Sequence, residues 1–571
     1  MCGIFCEICY SNSTTKKDSR ILNRIQNRGP NCNQTLELNL GDGISVFFCG
    51  AVLWMQGPQV TPQPLENDKG VLLYNGDIFD ETWDCTVSDT QIIMDKLNNR
   101  TQESPDNYII DELKQLKGPF AIIYYDKINK RMYFTRDRIG RSTLLFHKND
   151  KCIIISNVLG REYDCIEVPA THIHIIDFNL NRINLFPWNN DLCCEELNIV
   201  EWLNGLHTKQ SLPDDEFNFH YIKEDYTVED EVVKYIKTTA QQVKCKLSVM
   251  KELLEHAVLR KTVLKVTQLL EESIRLRLNR QPNKCKECLT NNTNVMEICN
   301  HCTVGVLFSG GLDCTILALL ADKYLPKEQS IDLINVAFRK DEMGTYDVPD
   351  RLTGLQSLQE IQKLCPERKW VFREVNIPKE EMEKHQENTI GDLVHPRQSI
   401  LDESLGTALW FAARGQDSSG VSTSRVLLVG SGADELFGGY IRHRNAFKRH
   451  GWQGLNKELQ LDWNRISFRN LARDNRVICD HGRQPRMPYL DEDFTNYVLK
   501  LKPWLRCFPI EDLSIGIGDK LILRLVGLNL GLTEAVILPK RALQFGSRIA
   551  NKKEKGSDLS KTFLKYTRTT N

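Results

Sequence analysis

The feature that most limits the folds open to this chain is a buried strand that runs directly into a Ser-Gly-Gly turn and an apolar helix. The strand is predicted at Val304–Phe308, the turn is Ser309–Gly311, and the helix begins at Leu312. Two further apolar runs, Ile331–Phe338 and Val426–Val429, are separated from the first by stretches of helical periodicity. Apolar strands that alternate with helices are typical of a parallel sheet covered on both faces. The second half of the chain is therefore predicted to form an α/β domain.

The first half has a different pattern, with many short strands between about residues 43 and 186. Phe120–Tyr125, a polar turn and Arg131–Thr135 are a clear example. Short apolar runs joined by polar turns favour antiparallel sheets. Two domains of different fold class are therefore expected.

The segments between and after the two domains have weaker patterns. We expect a mainly β domain over residues 1–190 and an α/β domain over residues 262–551 with a cysteine-rich insertion at about 282–303. Residues 191–261 are rich in charge, which favours a connecting or inserted segment on the surface. Apolar residues recur at helical spacing within 251–278, which predicts one or two amphipathic helices packed on the second domain. The polar tail at 552–571 is predicted to be mobile.

Charge and composition exclude several classes of protein. Of 571 residues, 74 are Lys or Arg and 75 are Asp or Glu, so a net charge of -1 predicts neither a nucleic acid nor a membrane partner. No apolar run approaches the roughly 18 residues that cross a bilayer, and the start lacks a signal-peptide pattern. A cytoplasmic location is expected. In that reducing compartment the 19 cysteines are expected to be thiols, metal ligands or nucleophiles.

The Ser-Gly-Gly turn has the properties of a phosphate-binding loop. Gly310 and Gly311 allow the backbone to approach phosphate oxygens, and the helix that follows adds free N–H groups and a favourable dipole. Asp313 beside such a loop would repel a bare phosphate, but it suits a Mg²⁺ ion held between the two. The residues alone therefore favour a phosphate site that uses Mg²⁺, and a plain tight turn is the alternative.

Ser309–Asp313 resembles the pyrophosphate loop of ATP pyrophosphatases, and Gly430–Tyr440 resembles the acidic glycine loop of asparagine synthetases. Arg473–Arg476 and Arg486–Asp491 resemble the substrate-side segments of the same family. With Lys520 and Pro539–Arg541, the resemblance covers nearly all of residues 262–550. It implies that ATP converts the side-chain carboxylate of aspartate to an acyl-adenylate, from which ammonia displaces AMP to give asparagine.

The resemblance also assigns residues to this synthetase half. Asp434 and Lys540 would be catalytic, with Lys540 neutralising phosphate charge, and Asp313 and Asp434 would hold Mg²⁺. The nucleotide-binding set would be Ser309, Gly310, Gly311, Asp313, Gly430, Ser431 and Gly432.

Cys2 is a candidate nucleophile of a second site. Removal of Met1 would place a thiol and a free α-amine on one residue, and an α-amine with a pKa near 8 can act as the base for its own side chain. A cysteine at position two is more often a buried thiol without a reaction. Whether Cys2 is a nucleophile must therefore be judged from the neighbouring motifs. Class II glutamine amidotransferases have similar motifs in the same order, here Cys2–Ile4, Arg28–Pro30, Gln63–Leu65, Asn75–Asp77, Asp89–Gln91 and Arg136 with Asp137 and Gly140.

This second resemblance implies an antiparallel αββα sandwich of the N-terminal nucleophile type, fused to an α/β ATP pyrophosphatase domain. Cys2 would attack the glutamine amide, Asn75 and the Gly76 N–H would stabilise the oxyanion, and Asp89 would hold the substrate amine. The implied glutamine-binding residues are Arg28, Asn75, Gly76, Asp77 and Asp89.

Several positions depart from the family pattern. At the position of Val52, the family has an arginine that binds the α-carboxylate of glutamine. Such a charge-assisted pair contributes roughly 1.5–3 kcal/mol, so its absence should weaken glutamine binding. The glutamate between the glycines of the acidic loop is Ser431, which cannot act as a carboxylate base. The catalytic lysine of the family aligns with Lys540 in one alignment of this region and with Ala542 in another. Together with the insertion, these changes resemble most closely the asparagine synthetase domain-containing protein 1 branch of the family.

Three hypotheses follow. The first is a glutamine-hydrolysing asparagine synthetase that uses ATP, Mg²⁺, aspartate and glutamine. The second, favoured by Val52 and Ser431, is a nucleotide-binding scaffold with a protein partner. The third is an amidotransferase that acts on another carboxylate.

The insertion contains two Cys-x-x-Cys pairs, Cys285 with Cys288 and Cys299 with Cys302, in one polar connection. Four thiolates could hold one tetrahedral Zn²⁺, with His301 as a reserve ligand. Such a site would be structural, because four thiolates leave no open coordination position. Solvent-exposed thiols are the alternative.

Overall fold

A computed structural model describes most of the chain. The described residues are 1–10, 18–99, 107–188, 195–197, 199, 201–203, 230–291, 299–339, 343–511, 513, 516–550 and 554–570. Over these residues, none of the helices combines the length and the apolar character that a membrane span requires.

Two antiparallel sheets build the first half of the chain. The six-stranded sheet has the order β10-β8-β9-β1-β3-β2, and the seven-stranded sheet has the order β13-β12-β11-β7-β6-β5-β4. The strands are β1 Gly3–Cys9, β2 Cys32–Gly41, β3 Ile44–Val52, β4 Leu65–Glu66, β5 Gly70–Gly76, β6 Phe120–Asp126, β7 Arg131–Arg136, β8 Leu145–Lys148, β9 Cys152–Ser156, β10 Cys165–Glu167, β11 His172–Asp177, β12 Arg182–Pro187 and β13 Glu195–Leu197. The predicted antiparallel strands at 120–125 and 131–135 are confirmed.

Side chains alternate between two cores along these strands, as the two-residue period of a strand requires. Ile4 of β1 and Ile123 of β6 belong to the core between the two sheets. Phe5 of β1 points the other way and packs with Ile21 and Ile25 of helix α1, Ser19–Arg28. The outer face of the second sheet is covered by α2, Asp89–Asn98, and α3, Tyr108–Gln115.

A five-stranded sheet of order β16-β15-β14-β19-β20 forms the centre of the second half, and all its registered pairs are parallel. Its strands are β14 Val304–Leu307, β15 Ile331–Phe338, β16 Trp370–Ile377, β19 Val426–Leu428 and β20 Gln484–Arg486, and a separate two-stranded hairpin consists of β17 Gln416–Asp417 and β18 Gly420–Val421. The three apolar runs of the sequence form β14, β15 and β19, so the α/β prediction is confirmed.

Helices surround this sheet. In chain order they are α4 Glu231–Gln242, α5 Lys246–Glu255, α6 Ala257–Asn279, α7 Lys286–Asn291, α8 Leu312–Ala321, α9 Pro349–Leu364, α10 Lys379–His385, α11 Gly391–Val394, α12 Ile400–Arg414, α13 Ala433–Phe437, α14 Ile441–Asn464, α15 Ala472–Cys479, α16 Glu492–Leu499, α17 Pro503–Arg506, α18 Leu521–Asn529, α19 Leu543–Gly546 and α20 Lys561–Thr570. Two π-helical turns, Gln386–Ile390 and Ser467–Leu471, and two 3₁₀ turns, Pro488–Leu490 and Ala535–Ile537, lie between them.

Over its described residues, the segment at 191–261 differs from the prediction of a surface connection. Its strand β13 pairs with β12, so the second sheet continues past residue 190. Val232, Ile236 and Leu253 are buried in the large core of the second half. The apolar positions of α4 and α5 recur on one helical face, which is why these helices pack inward although the segment is rich in charge.

The mobility of the tail stays a prediction, but the tail has contacts with the rest of the molecule over its described residues. It includes α20, and the Arg161 guanidinium lies 5.2 Å from the centre of the Tyr566 ring. Ser399 and Leu559 form a β-bridge upstream of the helix. The cation–π contact and the bridge attach this polar segment to both halves of the molecule.

Candidate active sites

Cys2 lies directly before the first strand, at the centre of the six-stranded sheet. Its Sγ is 3.9 Å from the Leu53 carbonyl oxygen and 4.0 Å from Gln63 Nε2. Burial raises the pKa of the Cys2 thiol. A buried thiol of this kind needs a nearby base to become a nucleophile.

Asn75 and Gly76 end the neighbouring strand β5. Asn75 is fully buried, and neither polar atom of its amide has a hydrogen-bond partner within the described part of the chain. A buried amide without a partner is costly, so such groups commonly serve a ligand or a reaction. Gly76 lines the cavity beside Cys2, and a Cβ at this position would lie 2.5 Å from the Pro119 oxygen. The pair can therefore donate hydrogen bonds from a fixed position.

Asp89 begins helix α2 at the opposite wall of the same cavity. Tyr74 donates its hydroxyl proton to Asp89 Oδ2 at 3.0 Å, and the Thr90 N–H donates to Oδ1 at 2.9 Å. Burial, with a smaller effect from the charge of Asp77, raises the pKa of Asp89 to about 7. A bound ammonium group would offset both effects, because an opposite charge favours the carboxylate.

Arg28 and Asp77, two of the expected glutamine ligands, have other partners. The Arg28 Nε donates to the Cys2 carbonyl oxygen at 3.2 Å, and its Nη2 donates to Asn475 Oδ1 at 2.9 Å. Asp77 borders the cavity but forms a buried ion pair with Arg486 at 2.9 Å. Arg28 therefore contacts the backbone of Cys2, and Asp77 joins the two halves of the molecule.

The cavity beside Cys2 is small. It measures about 20 Å³ and includes Val52, Trp54 and Met55 in its wall. This volume is enough for about one water molecule. This volume is smaller than a glutamine side chain.

A much larger cavity of about 370 Å³ lies at the carboxyl ends of the parallel strands. Ser309, Gly311 and Asp313 form one side, and Gly430–Gly432 form another. This end of a parallel sheet is where open α/β folds bind ligands. Six of the seven nucleotide-binding residues expected from the sequence therefore line one cavity. Gly310, the middle residue of the turn, does not form part of the cavity wall.

Gly310 shows why the turn requires glycine. Its φ is +76°, and a Cβ would lie 2.4 Å from the Gly354 nitrogen. The Ser357 hydroxyl donates to the Gly310 oxygen at 2.7 Å, and the Gly311 N–H donates to Ser309 Oγ at 3.3 Å. Helix α9 thus packs closely against the turn and fixes its shape.

Lys520 joins Asp313 and Asp434, two of the acidic residues that line this cavity. Its Nζ lies 2.6 Å from Asp313 Oδ2 and 2.6 Å from Asp434 Oδ1. Lys540 forms an ion pair with the other oxygen of Asp434. Although burial opposes ionisation, the charges of Lys520 and Lys540 hold the pKa of Asp434 well below its usual range. Lys520, to which the sequence motifs assign no separate role, is central to the site.

Asp313 retains a free coordination position for a metal. Its Oδ1 is buried and has no hydrogen-bond partner among the residues that the structure describes. Carboxylate oxygens beside phosphates are the usual protein ligands of Mg²⁺. Asp313 therefore fits Mg²⁺; Asp434 Oδ1 likewise lacks a hydrogen-bond partner among the described residues, although both oxygens of Asp434 lie close to lysines.

Glu435 is a second residue that the sequence analysis did not assign. It lines the cavity, accepts a hydrogen bond from the Tyr440 hydroxyl at 2.7 Å and accepts another from Asn470 at 2.9 Å. Burial, and then the charge of Asp434, raise the pKa of Glu435 to about 7. A carboxylate base is thus present four residues after Ser431, the residue found where the family has its glutamate.

The cysteine-rich insertion brings together a different set of ligands from the four cysteines expected. The side chains of Cys285, Cys288, Cys299 and His301 have donor atoms within 4.8 Å of one another. Cys302 is buried elsewhere and donates its thiol proton to the Val304 oxygen at 3.1 Å. Cys302 begins the approach to β14, which turns its side chain into the core.

Family comparisons agree with this two-part architecture. A glutamine amidotransferase domain matches residues 1–160, and an asparagine synthase domain matches residues 300–454. The fold and the two cavities therefore define a chain in which a glutamine amidotransferase domain precedes an asparagine synthase domain.

Full-length relatives narrow the assignment. An asparagine synthetase domain-containing protein of Drosophila melanogaster is 37% identical over 98% of this chain and 100% of its own length. Asparagine synthetase domain-containing protein 1 of Mus musculus is 33% identical over 98% of this chain and 99% of its own. The chain belongs to this family of asparagine synthetase domain-containing proteins.

A more distant relative is named for an activity. A putative glutamine-hydrolysing asparagine synthetase of Methanocaldococcus jannaschii is 23% identical over 77% of this chain and 66% of its own length. A solved amidotransferase, the glutamine phosphoribosylpyrophosphate enzyme of B. subtilis, covers 65% of this chain and 90% of its own with 12% identity and a TM-score of 0.27.

Proposed function

We propose that the protein catalyses the ATP-dependent amidation of aspartate to asparagine, with ammonia released from glutamine in the first half of the chain. The observation that carries this proposal is Lys520, which lies in the wall of an adjoining smaller cavity and links Asp313 of the phosphate turn to Asp434 of the acidic loop. These ion pairs set a buried positive charge beside the Ser-Gly-Gly turn, where a leaving pyrophosphate requires one.

In the first step, a side-chain carboxylate oxygen of aspartate attacks the α-phosphorus of ATP, and the bond to the β-phosphate oxygen breaks. The turn at Ser309–Gly311 holds the pyrophosphate that leaves, and Lys520 and Lys540 balance its charge. Mg²⁺ bound at Asp313 would supply further charge neutralisation. The products of this step are aspartyl-adenylate and pyrophosphate.

In the second step, ammonia attacks the acyl carbon and AMP leaves. The attacking nitrogen must lose a proton, and Glu435, with a pKa of about 7, is suited to accept it at neutral pH. Its position in the cavity compensates for Ser431, which has no carboxylate.

The first half would supply the ammonia. After removal of Met1, the Cys2 α-amine would take the thiol proton, and the thiolate would attack the glutamine amide carbon to form a thioester as ammonia leaves; water would then release glutamate. The amide of Asn75 and the Gly76 N–H would stabilise the oxyanion, and Asp89 would bind the glutamine α-amine. The unpaired buried amide of Asn75 supports this assignment, because it is a donor without another partner among the described residues. The cavity must widen before glutamine can bind.

The test is an assay of the purified protein with ATP, Mg²⁺ and aspartate, plus either glutamine or ammonium, followed for pyrophosphate and asparagine. Cys2→Ala is expected to remove the glutamine-dependent reaction and to leave the ammonium-dependent one. Lys520→Met is expected to lower both, while Lys500→Met, at an exposed position outside the cavity, serves as the matched control. Absence of pyrophosphate in every wild-type reaction would contradict the proposal.

The closed cavity beside Cys2 favours a second candidate, a nucleotide-binding protein that acts as a scaffold. Val52 offers no cation for the glutamine carboxylate, and a volume of about 20 Å³ excludes the substrate in this conformation. ATP binding without pyrophosphate release, for aspartate and for other carboxylates, would support this candidate. Pyrophosphate release with another carboxylate would instead indicate an amidotransferase of different specificity.

A further inference from the structure

The side-chain cluster in the insertion has the dimensions of a zinc site. The Nδ1 of His301 is 3.6 Å from Cys285 Sγ and 3.3 Å from Cys288 Sγ. In a tetrahedral site with Zn–S near 2.3 Å and Zn–N near 2.0 Å, the sulfur-to-nitrogen separation is about 3.5 Å. Cys285, Cys288 and His301 therefore lie close to coordination spacing, and the Cys299 Sγ lies within 4.8 Å of each of their ligand atoms.

Backbone N–H groups point at two of the sulfurs. The Cys288 N–H donates to Cys285 Sγ at 3.4 Å, and the Cys285 N–H donates to Cys299 Sγ at 3.1 Å. Hydrogen bonds of this type stabilise thiolates and orient metal ligands. They indicate that these cysteines are arranged as a coordinating group and not as independent thiols.

A buried cation lies behind the cluster. Arg425 is 1% exposed, and its Nη1 has no hydrogen-bond partner in the part of the chain that is described. Its backbone N–H donates to the Thr303 oxygen at 2.9 Å, at the end of the insertion, so the side chain starts beside the cluster. A buried, incompletely bonded guanidinium requires a negative partner.

We propose that Cys285, Cys288, Cys299 and His301 bind one structural Zn²⁺, and that Arg425 balances the net charge of this centre. Three thiolates and a neutral imidazole around Zn²⁺ carry a total charge of about −1, which one guanidinium neutralises. Four protein ligands leave no open position, so the metal stabilises the fold and takes no part in a reaction.

The centre is connected to both halves of the molecule. The Lys286 N–H donates to the Thr423 oxygen at 2.9 Å, which attaches the insertion to the segment that leads into β19. Arg425, two residues further on, donates through Nη2 to the carbonyl oxygen of Trp54 in the wall of the cavity beside Cys2. Zinc would therefore hold Arg425 against this wall, whether or not the protein turns over substrate.

Metal analysis of the full-length protein tests the ligand set. The wild type is expected to contain one zinc per chain, and cobalt-substituted protein is expected to show thiolate charge-transfer and tetrahedral d–d bands. His301→Ala and Cys288→Ser should lose the metal, whereas Cys302→Ser and the exposed-site control Cys85→Ser should keep it. Wild type without metal, or loss of metal in Cys302→Ser but not in His301→Ala, would overturn the proposed site.

Two further measurements test the role of Arg425. Arg425→Gln is expected to weaken zinc binding by about tenfold to a hundredfold in competition with a chromogenic chelator. In His301→Ala, amide hydrogen exchange should rise in the segment around Trp54 and stay unchanged in β16. Because these measurements use different variants, a folding defect in one leaves the other informative. Unchanged zinc affinity in Arg425→Gln would overturn the proposed charge balance.

Discussion

Asp77 and Arg486 form an ion pair of 2.9 Å between two side chains that are completely buried at the junction of the two halves. Asp77 follows β5 of the seven-stranded sheet, and Arg486 ends β20 of the parallel sheet. Gln484 also donates to Asp77 Oδ2, and Arg486 donates to the carbonyl oxygen of Arg280 at 2.6 Å. The two active-site candidates are therefore joined through a fixed polar network.

Loss of one member of this pair should be strongly destabilising. Asp77→Asn is expected to lower the free energy of unfolding by about 3–5 kcal/mol, because it leaves the Arg486 guanidinium buried without a countercharge. Urea unfolding followed by circular dichroism measures the change. Glu66→Gln breaks a partly exposed pair with Lys127 and should cost at most about 1 kcal/mol. Equal effects of the two substitutions would contradict the role of the buried pair.

Glutamine binding should depend on pH through Asp89. Burial raises the pKa of this carboxyl to about 7, so it becomes neutral as the pH falls through that value and no longer attracts the substrate ammonium. Affinity, measured by calorimetry with Cys2→Ala, should therefore weaken by about tenfold per pH unit below 7 and level off above it. Asp89→Asn should bind weakly and without this pH dependence. If the glutamine affinity of Cys2→Ala, which retains Asp89, did not change with pH, Asp89 would not be the amine ligand.

Lys520→Met should slow pyrophosphate release by about a hundredfold to a thousandfold, the usual effect of removing one charge-stabilising group from a reacting centre. The substitution also removes one of the two cations that keep Asp434 ionised, so the pKa of Asp434 should rise. Rapid-quench measurement of pyrophosphate reports the first effect. Activity equal to that of Lys500→Met would show that Lys520 has no part in the reaction.

Glu435→Gln should affect amidation more than adenylation. Removal of a general base slows the proton-transfer step by about a hundredfold or more. Pyrophosphate forms before that step, so its rate of formation should change little. Asparagine from ammonium and the first turnover of pyrophosphate should therefore respond differently in single-turnover assays. The double variant Glu435→Gln with Ser431→Glu restores a carboxylate in the acidic loop and should recover part of the rate. Equal loss of both products would point to a structural role for Glu435.

The sequence predicted both fold classes because its patterns are local. The strands at 120–125 and 131–135 and the run from Val304 into the Ser-Gly-Gly turn depend on alternation, apolar content and glycine, which neighbouring residues suffice to indicate. The helices at 231–255 were harder to place, since charged residues between their apolar positions gave the segment the composition of a surface loop. Family motifs supplied the candidate residues around Cys2, Ser309 and Asp434.

The tertiary structure decided which of these residues meet and what surrounds them. Lys520 comes to lie between Asp313 and Asp434, although more than 200 residues separate it from Asp313, because their elements converge at the carboxyl ends of the parallel strands. The tertiary structure also determined that Asp77 pairs with Arg486 and that burial and the charge of Asp434 raise the pKa of Glu435. It likewise set the small volume of the cavity beside Cys2. These properties depend on atoms brought together from distant parts of the chain, so spacing along the sequence does not reveal them. The spacing of the cysteines did indicate a metal site in the insertion. Only the packing of the chain showed that the fourth candidate ligand is His301 and not Cys302.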